Sequence, residues 1–158
     1  MPIVSTSKPL VYGEGLVSTA RICLVGEAPG SEEIKQGRPF IGPSGSLLFR
    51  LLGNAGIGRH DCYITNVVKE QPAGNNISRF IRFERGRVIS TQQYTEYENA
   101  LREELSAFQG NIIVAVGGVA LWALCRKMGI TKWRGSILTD YAGRKVVPIL
   151  HPASAMRQ

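Results

Sequence analysis

An α/β architecture built on a mostly parallel sheet is what this sequence predicts, on three observations. Four short apolar runs, at residues 21–26, 61–65, 111–116 and 146–150, have the length and continuity of buried strands. Segments with helical spacing of apolar residues lie between them. Three of the runs lead directly into short polar segments, Gly26-Glu27-Ala28-Pro29-Gly30, Asn66 and His151-Pro152. Strands that alternate with helices in this way pair in parallel, because the intervening helix carries the chain back across the sheet.

The elements follow in order. Residues 1–20 show no period and contain Pro, Gly and Ser, so they read as an irregular arm. Arg21-Ile-Cys-Leu-Val-Gly26 is the first strand, and the Gly- and Pro-rich stretch 27–43 is a loop. Ser44 or Ser46 then caps a helix on which Leu47, Leu48, Leu51 and Leu52 recur, with Gly53 and Gly56 to end it. Asp61-Cys-Tyr-Ile-Thr65 is the second strand, and Asn66 falls at its C-terminal end. Residues 70–90 lose the period and interleave Arg79, Arg82, Arg85 and Arg87 with Phe80, Ile81 and Phe83. Thr91 opens an amphipathic helix with Tyr94, Tyr97, Leu101, Leu105 and Phe108 on one face; Glu96, Arg102, Glu103 and Glu104 fall mostly on the others. A buried strand at 111–116 precedes Gly117-Gly118 and a helix to about Lys127. Residues 132–134 and 144–145 flank a hairpin, and 146–150 form the last strand.

A chain of 158 residues with 44% apolar residues is sized for one domain with a real core. No apolar run approaches the ~20 residues of a membrane-spanning helix, and the start of the chain lacks the pattern of a secretory signal. A soluble cytoplasmic monomer without a membrane partner is expected. The net charge of +7 fits either a polyanionic partner or a solubilising surface. Cys23, Cys62 and Cys125 are odd in number, far apart and outside any CxxC, which fits reduced thiols serving as small hydrophobes.

Ligands of open α/β sheets bind beyond the C-terminal ends of the strands. Parallel strands therefore bring Glu27, Asn66 and His151 to one edge. Taken singly each has a plain structural reading: a loop carboxylate, a turn former or cap, and a rim histidine. The glycines of 26–45 would equally supply turns, and neither GxGxxG nor the P-loop pattern is present. Taken in order, Glu27-Ala28-Pro29-Gly30, Gly37-Arg38-Pro39-Phe40-Ile41-Gly42, Gly45 with Leu47-Leu48, Thr65-Asn66-Val67-Val68-Lys69 and His151-Pro152-Ala153 are more specific. This pattern resembles the uracil-DNA glycosylase superfamily, most closely its family 4, over roughly residues 21–69 and 111–157. A similar domain also occurs in phage proteins.

The resemblance implies a single domain over residues 1–158, a three-layer α/β/α fold with a central, mostly parallel sheet, and a DNA-repair enzyme. Such an enzyme hydrolyses the N-glycosidic bond of uracil in DNA and leaves an abasic site. It implies that a flipped nucleotide enters a pocket, with Phe40 stacking on the base and Asn66 reading its polar edge. His151 would donate to uracil O2, and Glu27 would stabilise the sugar cation or orient water. The backbone at Ala28 and Gly30 would hold base or water. Gly30 stands where the better-known family 1 has a bulky tyrosine, which weakens the expected exclusion of thymine. Ser44, Gly45 and Arg157 would meet phosphate, and Ala155 or Met156 would fill the space left by the flipped base. Two alternatives stand beside this reading: an inactive glycosylase-like module that binds DNA or a partner, and a glycosylase for another deaminated base.

Two departures accompany the resemblance. Family 4 enzymes carry four cysteines that ligate an iron–sulfur cluster, whereas this chain has Glu70 at one expected position and no cysteine in residues 1–20. The expectation is therefore a protein with no cofactor, metal or cluster, in which residues 79–88 and the helix from Thr91 order that region. Arg82, Arg85 and Arg87 would either reach the DNA backbone or form a solvated tip. The chain also stops seven residues after His151, which reads as a C-terminus shortened relative to the family.

Overall fold

The computed structural model describes residue 4 and residues 6–156. Along the chain the elements are β1 (Ile22–Gly26), α1 (Ser31–Gln36), α2 (Pro43–Asn54), β2 (Cys62–Asn66), β3 (Ile81–Glu84), β4 (Arg87–Ser90) and α3 (Gln92–Leu105). There follow β5 (Ile112–Val116), α4 (Gly118–Cys125), α5 (Ile130–Trp133), β6 (Leu138–Thr139), β7 (Lys145–Ile149) and α6 (Pro152–Met156). The main sheet has the order β2-β1-β5-β7-β6. Its first four strands are parallel, and the two-residue β6 is antiparallel to β7.

Strand alternation sorts the side chains into two cores. Cys23, Val25, Tyr63, Ile113 and Ala115 face the layer made by α3 and α4. Leu24, Cys62, Ile64 and Val116 face the other side, under Leu48, Phe49 and Leu52 of α2. The three-layer α/β/α arrangement expected from the sequence is the one observed. No helix among the described residues is long and apolar enough to cross a membrane.

Helix α3 forms where its period places it: the Thr91 hydroxyl accepts the Tyr94 N–H at 3.1 Å, and Tyr94, Tyr97, Leu101 and Leu105 are buried. Glu104 departs from the expected solvent face, because its side chain turns inward to meet Lys69. The expected loop 27–43 contains α1, which buries no residue and so leaves no apolar period to read. Neither Ser44 nor Ser46 caps α2; the helix starts on Pro43 with Gly42 as its cap, placing both serines inside.

Residues 81–90 form a separate hairpin, β3–β4, turning on Arg85 and Gly86 at φ of 51° and 75°. The arm lies against the free edge of β2: Glu14 and Ile64 exchange backbone hydrogen bonds, and Val11 N–H donates to the Lys69 carbonyl. Register makes the strand ends coincide. Gly26 lies opposite Asn66 and Val116 opposite Ile149, so the residues that follow emerge along one edge.

Candidate active site

A cleft of about 340 Å³ opens along that edge, lined among others by Glu27, Ala28, Gly30, Phe40, Ser44, Asn66, His151 and Ala153. The residues predicted to converge there do so. The ladder between β1 and β2 continues one step past the strands, with Val67 and Val68 donating to the carbonyls of Gly26 and Glu27 at 2.9 Å. This extension holds Glu27 at the cleft wall.

Gly26 forms the floor. A Cβ on it would lie 2.3 Å from the tip of the Phe40 ring and 2.5 Å from Asn66 Oδ1, so both side chains rest on its bare Cα. Phe40 has φ of 53°, a left-handed conformation that costs a bulky residue about 1–3 kcal/mol. Its surroundings impose that conformation. Gly45 lies so close that a Cβ there would be 2.2 Å from the Phe40 carbonyl oxygen. The Glu33 carboxylate accepts the N–H groups of Ile41, Gly42 and Gly30, tying both rims of the loop to one anion. Arg59 donates to the carbonyls of Pro39 and Phe40.

The Phe40 ring lies nearly parallel to the His151 imidazole, with centroids 6.5 Å apart and planes 27° apart. His151 Nδ1 accepts the Ala153 N–H at 3.1 Å, so the neutral ring carries its proton on Nε2 as a donor. Asn66 is almost wholly buried at the end of β2. Behind it the Lys69 ammonium donates to the Asn66 carbonyl and, at 3.0 Å, to Thr65 Oγ1. Lys69 also forms an ion pair of 2.8 Å with Glu104. Burial lowers the Lys69 pKa, opposed by Glu104.

The remaining predicted residues divide by position. Ser44 lines the cleft from the first turn of α2, while Gly45 is buried against the Phe40 backbone. Ala155 and Met156 are exposed on α6, a short helix. Arg157 lies outside the described residues. Sequence reasoning missed Glu33, Arg59, Lys69 and the rim residues Pro72 and Asn75. Glu33 accepts the Gly30 N–H, the one half of a capping box that a glycine cap allows, and neither it nor the others carry a specific local signature.

Comparison with known proteins agrees with this geometry. The profile of the uracil DNA glycosylase superfamily matches residues 13–158. The type-4 uracil-DNA glycosylase of Thermotoga maritima is 39% identical over 150 residues, covering 94% of this chain and 72% of that protein. That of Saccharolobus solfataricus is 34% identical over 158 residues, covering 94% of this chain and 68% of that protein. A DNA polymerase of Bacillus phage SP01 is 30% identical over 140 residues, covering 88% of this chain and 14% of the polymerase.

These matches overturn the expectation of a protein without a cofactor. Type-4 enzymes are the iron–sulfur family, so a cluster is what the kinship implies. The three cysteines do not fit that group. Cys23 and Cys62 point to opposite faces of the sheet, and Cys125 ends α4. Burial pushes all three thiols up, Cys125 to about 11, away from the thiolate that ligates iron. Glu70, at a position expected for cysteine, is buried and accepts from Tyr97 Oη at 2.7 Å and Gln93 Nε2 at 3.0 Å.

Proposed function

The chain belongs to the uracil-DNA glycosylase superfamily, and from that premise we propose that it excises uracil from DNA, hydrolysing the N-glycosidic bond to leave an abasic site. The observation that carries the proposal is the gathering of Phe40, Asn66, His151 and Glu27 around one cleft at the C-terminal edge of the sheet. Its opening suits a base swung out of the helix, because the glycosidic bond is out of reach in a stacked duplex.

In this reading the uracil ring lies against Phe40, and the buried Asn66 amide supplies one donor and one acceptor to its polar edge. As the bond lengthens, negative charge grows on the leaving base. The His151 Nε2 proton, set by the Nδ1 contact to Ala153, stabilises that charge where it develops. The sugar becomes an oxocarbenium-like cation, and the Glu27 carboxylate stabilises it or orients the attacking water. Ala28 and Gly30 present backbone to base or water; a Cβ on Gly30 would lie 2.9 Å from Glu33 Oε1. With no bulky side chain at Gly30, exclusion of thymine is weaker. Exposed Met156 or Ala155 fills the vacated stack, and Ser44 and Arg157 meet phosphate.

The test is uracil release from a labelled oligonucleotide, read by alkaline strand cleavage. His151→Ala is expected to lower the single-turnover rate by about 10²–10³-fold, the usual effect of removing one preplaced donor. Rates unchanged in both His151→Ala and Asn66→Ala would overturn the assigned mechanism. The match to a short part of a phage DNA polymerase favours a second reading, a DNA-binding module without turnover. It predicts salt-sensitive DNA binding with no base released, even at high protein concentration. A third outcome, release of hypoxanthine or xanthine in preference to uracil, would assign the same site to another deaminated base.

A further inference from the structure

The side chain that holds the stacking face lies outside the cleft lining. Arg59 follows α2, in a short turn of 3-10 helix (Arg59–Asp61) leading into β2. Its Nη2 donates to the Pro39 carbonyl and its Nη1 to the Phe40 carbonyl, the latter at 2.9 Å. These two oxygens belong to the peptide planes on either side of the Phe40 Cα. The relative orientation of those planes is the φ and ψ of Phe40, so one planar guanidinium gripping both fixes the conformation that aims the ring.

We infer that Arg59 is a positioning residue for base recognition, keeping Phe40 in its left-handed conformation so that the ring waits in place for the base. The inference rests on the reading of Phe40 as the stacking face. Arg59 is itself anchored. Its Nε donates to Glu14 Oε2 at 2.7 Å, and its guanidinium lies 4.7 Å from the Phe49 ring centroid. Glu14 is shared with Arg38, whose Nε donates to its other oxygen at 2.6 Å. Every nitrogen of the Arg59 fork therefore has a protein partner, which distinguishes it from an arginine aimed at DNA phosphate. The grip is specific to arginine, because a lysine ammonium is a point charge without the rigid fork that spans two carbonyls.

The experiment pairs activity with a direct report on the ring. The protein has two histidines, so the His151 imidazole proton resonances are readily assigned with a His60→Gln control. With Phe40 stacked 6.5 Å away, the His151 resonance carries the ring current of that phenyl group. Arg59→Ala and Arg59→Lys are both expected to move it toward its position in Phe40→Ala. Uracil release should fall by about 10–100-fold in kcat/KM, the scale of a small misplacement of a reacting group. The double variant Arg59→Ala with Phe40→Ala should lose little more than Phe40→Ala alone, because the arginine acts through the ring.

Losses that multiply in the double variant, or Arg59→Lys with wild-type kcat/KM and an unmoved His151 resonance, would overturn the inference. Should Arg59→Ala fail to fold, Arg59→Lys carries the same test. A wild-type protein that releases no uracil defeats the glycosylase reading alone, since the His151 resonance still reports whether Arg59 places the ring.

Discussion

The segments that leave β1 and β2 both deliver side chains to the cleft, yet they are secured by opposite means. After β1, residues 27–42 form a partly exposed loop in which α1 buries nothing. Its shape comes from polar staples on the main chain: Glu33 collecting three amides and Arg59 holding two carbonyls. After β2, residues 67–70 are all buried, and two of them, Lys69 and Glu70, are charged. Their partners are Thr65, the Asn66 carbonyl and Glu104 for the first, and Tyr97, Gln93 and Lys8 for the second. A loop bathed in water can lose a staple and find solvent in its place. A buried charge has no such substitute. Damage to the first segment should thus appear in catalysis, and damage to the second in folding.

The largest expected effect breaks the second segment. Lys69→Ala strands Glu104 in the core and leaves the Asn66 carbonyl without its ammonium, so unfolding free energy should drop by about 3–5 kcal/mol. Urea denaturation measures this. Lys69→Met combined with Glu104→Leu should cost less than Lys69→Ala, because no uncompensated charge remains. A loss under about 1 kcal/mol for Lys69→Ala would erase the contrast between the segments.

A smaller effect belongs to the first segment. Glu33→Gln keeps one oxygen but loses the anion that serves Gly30, Ile41 and Gly42. Stability should fall by about 1–2 kcal/mol, within the range for charge-assisted hydrogen bonds at a partly wet site. Uracil release should suffer out of proportion, with the larger change in KM, because the loop that presents Phe40 is loosened while the His151 donor is untouched. Equal losses of stability and activity on acting at Glu33 and at Lys69 would mean that the two segments fold as one unit.

The contrast also explains what the sequence could show. The four parallel strands and α3 are legible because burial imposes an apolar period, and the meeting of Glu27, Asn66 and His151 follows once the strands are parallel. Helix α1 is six residues long with none buried, so it left no such trace. Glu104 was expected in water because a carboxylate beside an apolar stripe ordinarily faces out; only its approach to Lys69, distant in the chain, turns it inward. Arg59 was invisible for the same reason, since its bonds to main-chain carbonyls depend on tertiary placement and on no local pattern. The cofactor expectation erred differently. Kinship with the type-4 enzymes, the iron–sulfur family, implies a cluster, whereas the three cysteines present do not fit one.

The smallest effect sharpens the comparison at its weakest staple. Glu14 anchors Arg59, and its pKa is lowered from 4.5, chiefly by the hydrogen bond from Arg38 and then by Arg59, against partial burial. A carboxyl group whose pKa is depressed in the fold stabilises it above the ordinary value. That contribution is lost as pH falls from about 4.5 through the lowered value, when protons bind and the clamp on Arg59 relaxes. The side chain is about 30% exposed, so screening holds the stability at stake to about 1 kcal/mol or less. Glu14→Gln should therefore barely change the melting temperature at neutral pH, and should flatten the acid-induced part of the stability loss relative to wild type. Its kcat/KM at neutral pH should instead fall below wild type, toward that of Arg59→Lys, because Arg59 has lost its charged anchor. A variant that matched wild type in kcat/KM across the whole range would show that the two carbonyls hold Arg59 without help, and the clamp would shrink to the guanidinium alone.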